Sequence, residues 1–105
     1  MLLVIDRDNT ICVYESVRDA EADLETIDVE LGEYQFCDDA GQPYVGDVLQ
    51  TVEKFTSGAF RIVPRGKPDP HLPTSFLARA TDYRSRVRGL KTLDDARRHF
   101  AIQET

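Results

Sequence analysis

The apolar run Met1-Leu2-Leu3-Val4-Ile5 stops at Asp6-Arg7-Asp8-Asn9, and apolar residues return between Thr10 and Tyr14. Leu2–Ile5 and Thr10–Tyr14 read as two strands, rich in β-branched and aromatic side chains. The polar stretch between them has the length and composition of a hairpin loop, because Asp and Asn tolerate positive φ and bond to their own backbone. From Ser16 the period lengthens. Val17, Ala20, Leu24 and Ile27 recur at spacings of three and four and draw one apolar stripe, so a helix is expected from about Ser16 to Ile27. Ser16 with Asp19 three residues on resembles a capping box. Period two then appears at Glu33–Cys37, with Tyr34 and Phe36 alternating against Glu33 and Gln35.

Asp38-Asp39-Ala40-Gly41-Gln42 is a turn by composition. Pro43–Val52 reads as an irregular or edge strand, interrupted by Pro43 and Gly46. Thr56-Ser57-Gly58 is another turn, and Ala59–Val63 another strand with Phe60 and Ile62 on one face. After the loop Pro64–Pro70, a helix beginning at Thr74 or Ser75 would turn Phe76, Leu77, Ala80 and Tyr83 inward. Thr92 with Asp95 opens a last helix carrying Leu93, Ala96 and Phe100. The fold class is therefore α+β. It is a small antiparallel sheet of about four to five strands, with one amphipathic helix packed on it and one or two C-terminal helices. The expected core holds Val4 or Ile5, Val13, Val17, Ala20, Leu24, Ile27, Tyr34, Phe36, Phe60 and Ile62. A chain of 105 residues suits one domain. Residues 1–64 form its hairpin-helix-sheet core, and residues 65–105 a basic loop and helical extension.

Charge changes this picture more than composition does. The net charge is −6, but residues 1–53 carry fourteen acids and two bases, a balance of −12, and residues 54–105 stand at +6. Two readings stay open: a bipolar surface that steers a charged partner, or two halves that neutralise each other on folding. Glu15, Asp19, Glu21, Asp23, Glu25, Asp28, Glu30 and Glu33 crowd a single helix-strand unit. Asp19, Glu21, Asp23 and Glu25 fall mostly off the apolar stripe, so they are the candidate protein-binding residues, facing a basic partner. The basic run Arg79, Arg84, Arg86, Arg88, Lys91, Arg97 and Arg98, with Tyr83, invites phosphate contacts. A pI of about 4.8 and the lack of interleaved aromatics argue against a nucleic-acid partner.

Other constellations are sparse. Cys12 and Cys37 lie in strands and read as free thiols, and His71 and His99 as surface residues outside any metal pattern. No cofactor or metal site follows from the residues. No apolar run approaches the ~20 residues of a membrane span. The first five residues lack a basic leader, so a cytoplasmic location is expected.

Asp6-x-Asp8-x-Thr10 after an apolar strand resembles the first motif of haloacid-dehalogenase-type phosphatases, and Gly66-Lys67-Pro68 resembles the Lys-Pro stretch of their third. That resemblance implies Asp6 as nucleophile, Asp8 as acid and base, Lys67 on the phosphate and Mg²⁺ between them. The connectivity after Gly32 reads as antiparallel, however, and Phe36-Cys37-Asp38-Asp39 lacks the hydroxyl of the second motif. Ala22 to Tyr34, with Asp38 to Gly41 behind it, is similar to a small family of uncharacterised bacterial proteins. This implies a compact α+β domain and no mechanism. The favoured reading is a non-catalytic interaction protein with an acidic docking face, an inhibitor or immunity-type partner of a basic protein. Mg²⁺-dependent phosphatase chemistry through Asp6, Asp8 and Lys67 is the alternative.

Overall fold

The structure is a computed structural model and describes residues 1–101. Residues 102–105, the end of the expected extension, lie outside the described residues. Ten elements follow in the order β1 (Leu2–Asp6), β2 (Thr10–Tyr14), α1 (Val17–Asp23), α2 (Thr26–Glu30), β3 (Tyr34–Asp38), β4 (Pro43–Gln50), β5 (Ala59–Pro64), α3 (Leu72–Arg79), β6 (Asp82–Ser85) and α4 (Leu93–His99). The fold is α+β, with one six-stranded sheet in the order β5-β4-β3-β1-β2-β6.

The unbroken apolar run at the N-terminus has a direct cause. β1 is an inner strand, paired with β2 and β3, and both of its faces are covered. Leu3 and Ile5 pack with Phe76, Leu77, Ala96 and Phe100 from α3 and α4. Leu2 and Val4 pack on the opposite side with Tyr14, Ala20, Phe36 and Ile62. A strand buried on both faces needs apolar residues at every position, not at alternate ones.

The sheet departs from the expected antiparallel one. β6 pairs parallel with β2, placing Ile11 opposite Tyr83 and Cys12 opposite Arg84. Tyr83 therefore lies on a strand and not on the preceding helix. β6 carries one apolar side chain in four residues, too little to announce itself by periodicity. Its backbone pairing with β2 makes it a strand. Helices cover both faces rather than one. Residues 65–100 supply much of one core face, so they are integral to the fold. β4 is an inner strand between β3 and β5, although it meets β3 through only two residue pairs.

The expected helix 16–27 is two helices. Leu24 is extended, with φ −82° and ψ 150°, and ends α1 while its N–H still bonds Ala20 O. Glu25 then caps α2. The break resets the helical phase. Thr26 is buried at 7% exposure, whereas Ile27, expected in the core, is 44% exposed. Thr26 sits against Gly58 so closely that a Cβ there would lie 2.8 Å from its Cγ2, and Gly58 also has φ +77°. Only glycine meets both demands. Val4, Ile5, Val13, Ala20, Phe36 and Ile62 are buried as expected, while Val17, Leu24, Tyr34 and Phe60 are half-buried around them.

The outer edge of β5 is partly blocked. Ile62 N–H donates to Glu21 Oε2 at 2.8 Å, and Pro64 has no N–H to offer. An edge capped in this way is a poor template for another strand.

Candidate functional site

The β1–β2 connection fixes the role of the opening carboxylates. Asp6 Oδ1 accepts from Asp8 N at 2.9 Å and Thr10 N at 3.0 Å, and Asn9 N donates to Asp6 O at 3.1 Å. Asn9 takes φ 60°, the left-handed conformation that ends a three-residue hairpin loop. One oxygen of Asp6 is thus committed to holding the turn. Thr81 bonds the loop from outside, N to Asn9 O and Oγ1 to Asp8 O.

Lys67 lies elsewhere. Its neighbours Gly66 and Asp69 bond Gln42 and Gly41 in the β3–β4 turn, beside the Leu2 end of β1. Asp6 stands at the other end of that strand, about 13 Å away along it. Asp95, one of two acids in the last helix, caps α4 by accepting from Lys91 N and Thr92 N. The structure does not bring Asp6, Asp8 and Lys67 together.

What the fold does assemble is a cleft of about 490 Å³ between the α1–α2 link and the β1-β2-β6 part of the sheet. Three acids, Asp23, Glu25 and Asp28, hang from the link. Arg84 and Arg86 approach from the opposite side, because residues two apart on an extended chain share a face. Tyr14, 2% exposed, donates its OH to Asp23 Oδ2 at 2.6 Å. Arg86 reaches Asp23 Oδ1 at 3.6 Å. Tyr34 donates to Asp28 Oδ2 at 3.4 Å.

Burial, then the bond to Asp23, pushes the Tyr14 phenol far above its usual range. Burial, then the Asp28 charge, pushes Tyr34 up to about 12. Both phenols are hydrogen-bond donors at neutral pH and not bases. Cys12, in the same cleft, is raised by burial, which keeps it from the thiolate form that a nucleophile needs. The arrangement presents fixed charges and hydrogen-bond donors to the cleft.

The four acids singled out in the sequence have different duties. Asp19 and Glu25 are exposed, and no hydrogen bond of their carboxylates ties them to the rest of the chain among the described residues. Glu21 is turned onto the β5 edge, and Asp23 is tied to Tyr14 and Arg86. The exposed acidic face is therefore narrower than the helix pattern suggested. Tyr14, Tyr34 and Asp28 were not among the sequence candidates. Arg84 and Arg86 carried a usable signal in their i, i+2 spacing.

His71 and His99 are exposed and outside the cleft. Cys12 and Cys37 are free thiols, and their β1 partners Val4 and Leu3 face opposite sides of the sheet. Among the described residues no group of three or more His, Cys, Asp or Glu is placed to hold a metal ion, and no helix is long and apolar enough to cross a membrane. Compared with protein-family models, with curated proteins and with solved structures, the chain matches none of them.

Proposed function

We propose that the protein works by binding a basic protein through the acidic surface of the α1–α2 unit, without catalysis of its own, as an inhibitor or immunity-type partner. One observation carries this reading. Among the described residues, Asp23–Arg86 is the one ion pair that joins the acidic half of the chain to a side chain of the basic half. Glu33 pairs with Arg7 and Asp39 with the N-terminal ammonium. Among the described residues, eleven of the fourteen carboxylates in residues 1–53 carry no ion pair. Folding thus leaves most of the negative charge outward, where it accelerates encounter with a positive surface and discriminates among partners.

The test uses Asp19 and Glu25, whose carboxylates make no hydrogen bond or ion pair among the described residues. The immobilised chain is exposed to cell extract at about 0.1 M and about 0.5 M salt, where screening differs roughly twofold in length. The expected result is capture of a basic protein at the lower salt only. With that protein purified, the doubly reversed variant Asp19→Lys/Glu25→Lys associates about tenfold more slowly, at a melting temperature no lower than that of the parent chain. No salt-sensitive capture, or an association rate indifferent to the reversal, would sink the proposal.

A further inference from the structure

The α1–α2 link has a second side. Against the β4–β5 hairpin it forms a groove of about 610 Å³ whose apolar lining includes Leu24, Ile27, Val52 and Phe60, with Glu25 among its acids. Glu30 Oε1 accepts from Val52 N at 2.8 Å and ties the hairpin to α2.

At the hairpin tip Glu53 and Thr56 exchange both backbone hydrogen bonds, at 3.1 and 3.2 Å. Lys54 and Phe55 are thus the two turn residues. Phe55 is 92% exposed, with the Lys54 ammonium 5.4 Å from its ring centre. Turn tips favour small polar residues, so neither the turn nor the core accounts for this phenylalanine.

It does not stand alone. The large apolar residues left exposed among the described residues are Ile27, Leu31, Leu49, Val52 and Phe55. Every one lies on α2, on the residue that caps it or on the β4–β5 hairpin. Single exposed apolar residues need no explanation, but a concentration on two bonded elements does. The same elements carry Glu25, Asp28, Glu30, Asp47 and Glu53 against Lys54 and Arg61. Apolar contacts bordered by charge are the anatomy of a protein interface. The border here is negative. A second copy docked through the same patch on a two-fold axis would set acid against acid, so charge favours a different, positive partner.

We propose that α2 and the β4–β5 hairpin form a docking surface for a cationic amphipathic segment of a partner protein. Its apolar side chains enter the groove over Ile27 and Val52 and meet Phe55, while its Lys or Arg side chains meet Glu25 and Glu53. The proposal rests on the acidic-docking reading above and adds where the non-electrostatic part of the affinity resides.

The probes are two synthetic peptides of equal positive charge, one alternating Lys with Leu and the other Lys with Ser, titrated into the full chain by calorimetry. The Lys-Leu peptide is expected to bind at least about tenfold tighter, the yield of burying one to two leucines' worth of surface. Phe55→Ser and Ile27→Ser each shrink that advantage and leave Lys-Ser binding unchanged. Both positions are exposed, and circular dichroism of each variant confirms the fold. Amide shifts on adding the Lys-Leu peptide concentrate in residues 25–31 and 49–58. Equal affinity for the two peptides, or a preference that survives both substitutions, overturns the surface and leaves charge-based docking standing. If neither peptide binds, both readings fall. A wild-type dimer that Phe55→Ser dissociates also overturns it, because the occupant is then a second copy.

Discussion

Tyr14, Tyr34 and Cys37 share a physical situation: each is held protonated by its surroundings. Burial, then the neighbouring Asp38 charge, pushes the Cys37 thiol from its usual 9.0 up to about 12. A pKa higher in the folded state than in the unfolded one contributes stability that is whole below the unfolded value and is lost as pH climbs through the folded value. For Cys37 that window runs from 9.0 to about 12, and for Tyr34 from 10.0 to about 12. The urea midpoint is therefore expected to be level in the range just below pH 9 and to fall above it. Cys37→Ala leaves Cys12 as the one thiol titrating there, and it makes the fall between about pH 9 and pH 10 shallower. A midpoint that rises above pH 9 would contradict this account.

Among the elements, α4 depends most visibly on a local device. Thr92 Oγ1 accepts from Asp95 N at 3.1 Å, and Asp95 Oδ2 accepts from Thr92 N at 3.1 Å, a complete capping box. α1 has half of one, with Ser16 Oγ accepting from Asp19 N at 3.2 Å. The full box matters because Ala96 and Phe100 cover one face of the sheet from α4. Thr92→Ala is expected to lower stability by about 1 kcal/mol, against roughly 3–5 kcal/mol for Phe100→Ala in the core it anchors. Denaturant titration of both variants checks the ratio. An equal loss would mean that α4 is held by its cap and not by its buried face. Asp95 is held below its usual range by the Thr92 N–H and then by Arg98. Its contribution is present above pH 3.8 and is lost as pH falls below that value.

At the scale of the whole molecule, the unpaired acids predict a response to salt. If the two halves of the chain neutralised each other, screening would weaken attraction and lower stability. With eleven carboxylates of the acidic half unpaired and a net charge of −6, screening relieves repulsion instead. Raising sodium chloride from about 0.02 M to about 0.5 M is expected to raise the melting temperature by roughly 2–4 °C, the equivalent of about 0.5 kcal/mol in a domain of this size. Asp19→Lys/Glu25→Lys is expected to show a smaller rise. A melting temperature that falls with salt would show that attraction dominates.

Short-range physics determined what could be read from the chain alone. The β1–β2 hairpin was legible because Asp6 and Asn9 build its turn within four residues, and an apolar run beside it had to be a strand. β3 and β5, the Thr92 cap and the α+β class were legible for the same reason. The expected helix 16–27 failed at Leu24, where nothing local stops a helix. The link turns there because Thr26, and not Ile27, packs against Gly58. β6 was hidden because its four residues become a strand only beside β2. The cleft depended on that pairing as well. Tyr14 and Asp23 lie nine residues apart, but Arg86, just past β6, comes from the other half of the chain. Their meeting was decided by the strand order, which sets β6 against β2 beneath the α1–α2 link, and such long-range pairing leaves no periodic trace in any one segment.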